Sequence, residues 1–220
     1  MTNPSLVWLA GEASGDFIAS LVMADIKRAY PEISMAGIGG PKMVASGLDA
    51  WYSSDLLSVR GYVEVLSKIP QLLWLRSTMA RRVIREKPLA FIGVDAPDFN
   101  LGLELKLRSQ SIKTIHLVCP AFWAWRANRI HTIAKAVDHM LCIFPFEKAL
   151  LEKAHVPATY IGHPLASIIP EKPDKEAARA RLGLNVEGPL FAVMPGSRQA
   201  EVKFCGPAFF KACEIVLGFD

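Results

Sequence analysis

The 220-residue chain is 51% hydrophobic and 21% charged, with a net charge of +4. That length holds one good core and the start of another, and the mild, scattered basic excess suits a phosphate or an anionic lipid surface while being too weak for nucleic acid. No run approaches the ~18 uninterrupted apolar residues of a spanning helix, and the N-terminus lacks the basic stretch of a secretion signal.

Taken in chain order, short apolar runs alternate with amphipathic stretches. Strands are predicted at Leu6–Ala10, Met35–Ile38, Leu89–Val94, Thr114–Cys119, His139–Phe144 and Thr159–Ile161. Helices are predicted near Gly15–Ala29, Gly61–Lys87, Asn100–Ser109, Ala127–Ala136 and Phe146–Ala154. The alternation implies βαβ units and an α/β fold with a Rossmann-like, doubly wound parallel sheet over residues 1–163. Functional loops then gather at the carboxyl ends of the strands. From His163 onward Pro164, Pro170 and Pro173 punctuate a linker, 164–187, that ends in a short charged helix, Asp174–Leu182. A strand at Leu190–Met194 then opens a second Rossmann-like unit over 188–220, its main helix starting at Pro207. One strand and one helix cannot bury their apolar faces alone, so this second domain is expected to be only begun.

Cys119, Cys142, Cys205 and Cys213 show no CxxC spacing and are expected to be reduced and buried. The five histidines show no HExxH spacing, so no metal site is expected.

The first predicted strand leads into Gly11-Glu12-Ala13-Ser14-Gly15-Asp16. Small residues there admit a ligand to the backbone, and a helix N-terminus offers N–H groups to an anion; helix capping by Ser14 or Asp16 accounts for the same residues. Gly37–Met43 is a second glycine-rich turn expected on the same sheet edge. The strand Leu89–Val94 delivers Asp95 to that edge, where a carboxylate can act as general base toward a sugar hydroxyl. Asp98, after Pro97, is placed to cap the next helix. His116 reads as a satisfied core residue, and Phe122, Trp123 and Trp125 beside Arg126 are open between a cleft wall and core packing. Pro195-Gly196-Ser197-Arg198 suits a diphosphate, or equally a capped turn with a solvated arginine. Tyr62–Lys87 joins an apolar group (Val63, Val65, Leu66, Ile69, Leu72, Leu73, Trp74, Leu75) to Arg76, Arg81, Arg82, Arg85 and Lys87. Pro70 is expected to break or kink it, and the pattern favours a plain crossover helix over an interfacial one.

GEASGD (Gly11–Asp16), GGPKM (Gly39–Met43), SVRGYVEVL (Ser58–Leu66), GVDAPDFN (Gly93–Asn100), WAWR (Trp123–Arg126), FPFEK (Phe144–Lys148), IGHP (Ile161–Pro164) and PGSR (Pro195–Arg198) follow in one order. Together they resemble the lipid-A-disaccharide synthases across the whole chain. The resemblance implies a GT-B glycosyltransferase with two Rossmann-like domains, working without metal or cofactor. It implies inverting transfer of 2,3-diacylglucosamine from UDP to 2,3-diacylglucosamine 1-phosphate, at the cytoplasmic face of the inner membrane of Gram-negative bacteria as a peripheral protein. It implies Asp95 as general base, Glu12, Ser14 and Gly15 in the acceptor loop, and Ser197 and Arg198 at the UDP diphosphate. Val63, Val65, Leu66, Ile69, Leu72 and Leu73 become a membrane or acyl-chain patch, which reverses the reading of that helix as a plain crossover. The rest of the UDP-binding domain is expected beyond Asp220, and a homodimer stays open. Two other readings are an inactive lipid-binding fragment and a different GT-B UDP-sugar enzyme, the latter disfavoured by the apolar patch and VDAPDF.

Overall fold

The computed structural model describes residues 5–57, 62–185, 187–196 and 199–218, and the backbone alone for 62–67 and 199–200. The chain divides into two units, Met1–Ser58 with Lys68–Ile168, and Val59–Ser67 with Ile169–Asp220.

The elements that carry the first unit follow as β1 (Leu6–Ala10), α1 (Ala13–Ala29), β2 (Met35–Gly39), α2 (Pro41–Ala45), β3 (Leu48–Ser53), α3 (Tyr62–Glu86, in this unit from Lys68), β4 (Ala90–Val94), α4 (Pro97–Arg108), β5 (Thr114–Leu117), α5 (Phe122–Trp125), α6 (Arg129–Ala136), β6 (His139–Cys142), α7 (Pro145–Lys153) and β7 (Ala158–Tyr160). The strands form one seven-stranded sheet in the order β3-β2-β1-β4-β5-β6-β7, and every pairing is parallel. This is the doubly wound sheet expected from the alternating pattern. Side chains alternate between faces: Val7, Leu9 and Phe91 join the core under α3 and α4, while Trp8, Ala10, Ile92 and Val94 join the core under α1 and α2. With helices on both faces the central strands are apolar at nearly every position.

In α3, Leu75, Met79, Ala80 and Val83 point into the core at helical spacing. Ile69, Leu73 and Trp74 are 40%, 50% and 54% exposed, and Leu72 is half-buried. Val63, Val65 and Leu66 lie outside the residues whose side chains are described. Pro70 sits inside the helix without ending it: the lost backbone bond is local, and the packed turns after it hold the helix.

Three elements escaped the apolar pattern, one of them the four-residue α5 (Phe122–Trp125). β3 is the sheet edge and is half-exposed along LDAWYS, so it lacks the apolar run that marks its neighbours. α2 is a single short turn after Gly40. β5 also ends earlier than expected, because Val118 turns to a left-handed φ of 74°. β6 stops before Phe144, whose backbone N–H donates to Glu147 Oε2 at 3.1 Å as α7 begins. Cys119 and Cys142 are buried; the hydrogen bond to Cys142 and burial push the Cys119 thiol up.

In the second unit α8 (Lys175–Arg181) is capped by Asp174, which accepts from the Ala177 N–H at 2.9 Å. Arg179 reaches back over it to the carbonyls of Asn185 and Gly188. α9 (Gln199–Leu217) runs continuously through Pro207 rather than starting there. The strand expected at 190–194 does not form. A strand needs a neighbour for its N–H and C=O groups, and among the described residues of this unit none is extended beside it. Phe191, Met194, Phe204, Phe210 and Ile215 are consequently exposed. Cys205 is exposed and Cys213 half-buried, against the expected burial. Among the described residues no helix is long and apolar enough to cross a membrane.

Removing a fully buried side chain from the first core tests this packing. Leu103→Ala is expected to lower stability by about 2–5 kcal/mol, read as a lower urea midpoint of the chain.

Candidate active site

The chain leaves β1 toward β2 and β3 on one side, and returns to build β4 to β7 on the other. The carboxyl ends of β1 and β4, paired at Ala10 and Val94, therefore flank a crevice that no crossover covers. The two expected functional loops open directly onto it. Gly11 lies so close to the β4 loop that a Cβ there would sit 3.5 Å from Ala96 Cβ and 3.3 Å from Leu57 Cβ. Gly15 is buried against Val94, while Glu12 and Ser14 are exposed at the start of α1.

Neither Ser14 nor Asp16 caps α1, whose N-cap position is Glu12 with no side-chain cap bond. Asp16 is buried and turns across the sheet edge instead. Its Oδ1 accepts from the N–H of Gly40 (2.8 Å) and Met43 (3.0 Å), and its Oδ2 from Lys42 (3.1 Å). A carboxylate at the N-terminus of α2 thus fastens the glycine-rich second loop to the first, with both the charge and the orphan N–H groups satisfied. Gly40 is required by this approach: a Cβ there would lie 2.6 Å from Asp16 Oδ2.

Asp95 and Ala96, at the end of β4, both adopt left-handed backbone, φ 49° and 43°. For non-glycine residues each costs about 1–3 kcal/mol and persists only where the surroundings impose it. Asn100 imposes it here. Fully buried, it donates from Nδ2 to the carbonyls of Asp95 (2.8 Å) and Val94 (3.3 Å), and reaches Leu9 O at 3.5 Å. The Asp95 N–H donates to Leu117 O at 2.9 Å. Asp95 itself is half-buried.

One turn along α4, Glu104 Oε1 meets His116 Nδ1 at 2.7 Å with both side chains fully buried. Gly93, paired with His116 in the sheet, makes the room: a Cβ there would fall well inside contact distance of Glu104 Oε1. His116 is thus a core residue as expected, satisfied at Nδ1 but, among the described residues, not at Nε2. Its Nε2, Glu104 Oε2 and Asn100 Oδ1 have no hydrogen-bond partner among the described residues. Asn100, the last residue of GVDAPDFN, and Glu104, in no motif, could have been found as supporting residues from their place as polar positions on the inner face of an amphipathic helix.

Asp98 does not cap α4, whose N-cap position is Ala96; its Oδ1 instead accepts from Arg126 at 3.1 Å and from Arg129. The two guanidiniums outcompete backbone N–H groups for it by charge. The aromatic motif divides: Phe122 is buried with the third core cluster, Trp123 packs edge-on against it, and Trp125 is exposed. Ser197 and Arg198 lie outside the described residues. Replacing Asp16 by Ala strands buried N–H groups at α2, so Asp16→Ala is expected to cost about 2–4 kcal/mol, measured by thermal denaturation.

A sequence model of the lipid-A-disaccharide synthetases matches residues 6–217. The chain is 54% identical to a lipid-A-disaccharide synthase of Paraburkholderia phymatum over 98% of its own length and 56% of that protein. It is 54% identical to that of Paraburkholderia xenovorans, over 94% of the chain and 54% of the relative. With that of Burkholderia cenocepacia strain HI2424 it shares 50% identity over 96% of the chain and 54% of the relative. The chain thus spans about half the length of the curated relatives it matches. With strand order, crevice loops and this match in agreement, the chain belongs to the lipid-A-disaccharide synthetase family.

Proposed function

We propose that the chain supplies the acceptor side of an inverting glycosyltransferase. The reaction joins UDP-2,3-diacylglucosamine to 2,3-diacylglucosamine 1-phosphate, giving UDP and lipid A disaccharide 1-phosphate. The observation that carries this reading is Asp95, held by Asn100 in strained backbone at the mouth of the switch-point crevice. Asp95 takes the proton of the acceptor hydroxyl as its oxygen attacks the anomeric carbon of the donor sugar. The bond from that carbon to the UDP oxygen breaks with its electron pair on UDP, and the anomeric centre inverts. Glu12, Ser14 and Gly15 face the acceptor, and Ser197 and Arg198 hold the diphosphate. No step calls for a metal or cofactor.

Acylated substrates favour a site at the inner-membrane surface, with the protein peripheral on its cytoplasmic side. The apolar patch of Val63, Val65, Leu66, Ile69, Leu72 and Leu73 is the contact in this reading. Support comes from α3, where Ile69, Leu73 and Trp74 are exposed. Farther along the same helix Arg81, Arg82 and Arg85, with Tyr52 and Thr78, line a cavity of about 390 Å³. An exposed apolar face followed by cations is the pattern of an interfacial helix. A homodimer is compatible with this arrangement.

The test is disaccharide formation from the two lipid substrates in detergent. The chain is assayed alone and with the C-terminal half of a full-length relative. Asp95→Ala is expected to lower the rate by about 10²–10⁴-fold with acceptor binding retained. Wild-type turnover in Asp95→Ala would contradict the assignment.

A further inference from the structure

Between the first turn of α4, the turn joining α5 to α6, and α6 itself lies a cavity of about 660 Å³ that the transfer step above does not use. Its lining includes Asp98, Trp125, Arg126, Asn128, Arg129 and Thr132. Trp125 is 69% exposed, and the Arg126 guanidinium lies over its ring, 4.2 Å from the centroid. Arg126 and Arg129 both donate to the same oxygen, Asp98 Oδ1. A guanidinium carries five N–H donors, so among the described residues most of these donors have no protein acceptor. Two cations against one carboxylate leave the charged lining one positive charge in excess.

Arg126 covers one face of the indole, and the rest of this exposed ring beside guanidinium donors suits a sugar phosphate, whose pyranose packs on the remaining exposed surface and whose phosphate accepts from the forked donors. We propose that this cavity is the subsite for the phosphorylated sugar headgroup of the acceptor, with Trp125 under the ring and Arg126 and Arg129 on the phosphate. The assignment rests on the transferase reading above and extends it. Asp98 follows Asp95 by three positions, in the first turn of α4, where the helix N-terminus also favours an anion. A headgroup held there lies at the same sheet edge as the base. Asp98, 77% exposed, orders the two guanidiniums in the free protein and yields one or both to the phosphate on binding. Its freed oxygens are then available to a sugar hydroxyl.

The experiment is a titration of the purified chain with N-acetylglucosamine 1-phosphate, followed by ligand-detected NMR and by the phosphorus signal. N-acetylglucosamine and inorganic phosphate, each alone, serve as the separate halves. The expected result is tighter binding of the phosphosugar than of either half. Arg126→Gln and Trp125→Ala should each weaken it by about tenfold, whereas Arg28→Gln, a remote exposed cation on α1, leaves it unchanged. Both altered site residues are exposed, and far-UV circular dichroism confirms that the variants fold. No binding by the wild type, wild-type affinity in both site variants, or inorganic phosphate binding as tightly as the phosphosugar would each overturn the proposal. The readout needs no donor and no turnover. A failure of the transferase reading therefore appears in the disaccharide assay and leaves this titration unaffected.

Discussion

Parallel strands β1 and β4 lie side by side, but the chain departs from them in opposite directions, so no crossover helix covers the gap beyond their carboxyl ends. That uncovered edge is the constraint on which the remaining features depend. Loops that border it lie in contact, Gly11 beside Ala96 and Gly15 beside Val94. They must also be tied down without a covering element. The tie is Asp16, whose carboxylate leaves its own helix uncapped and gathers the N–H groups of Gly40, Lys42 and Met43. One buried charge thereby fixes two of the three loops at the edge.

The third loop is held from below. Consecutive left-handed residues at Asp95 and Ala96 are unfavourable by themselves, and the stabilisation comes from α4. Asn100 clasps the carbonyls of the strained turn, and Glu104 with His116 fills the space that Gly93 leaves open. In a low-dielectric interior such polar contacts are strong when made and costly when left unmade. The loop is therefore held in one conformation rather than a range of them. A carboxylate intended to meet a hydroxyl at hydrogen-bond distance needs this kind of support.

Sheet, helices and strand-end loops were legible because the central strands are apolar runs and the helices have apolar stripes. β3 was not, since an edge strand with one exposed side has no such run. Asp98 and Asp16 were misread for a common reason. Local spacing offers each a nearby helix N-terminus, but the stronger partners, Arg126 and Arg129 for one and the α2 N–H groups for the other, are more than twenty positions away. Glu104 carries no motif of its own apart from its place on the inner face of α4, and Asn100 closes the GVDAPDFN motif without showing there what it holds. The 190–194 run has strand composition, but composition cannot supply a neighbouring strand, and its apolar side chains stay exposed.

The central claim is that the Asn100-clasped turn presents Asp95 to an acceptor sugar in the crevice. The most direct measurement is a crystal structure of the chain with N-acetylglucosamine 1-phosphate bound. The account predicts a sugar hydroxyl within about 3 Å of an Asp95 carboxylate oxygen, with Asp95 and Ala96 still left-handed. A bound phosphosugar with no hydroxyl near Asp95, or with Asp95 and Ala96 no longer left-handed, would contradict the account.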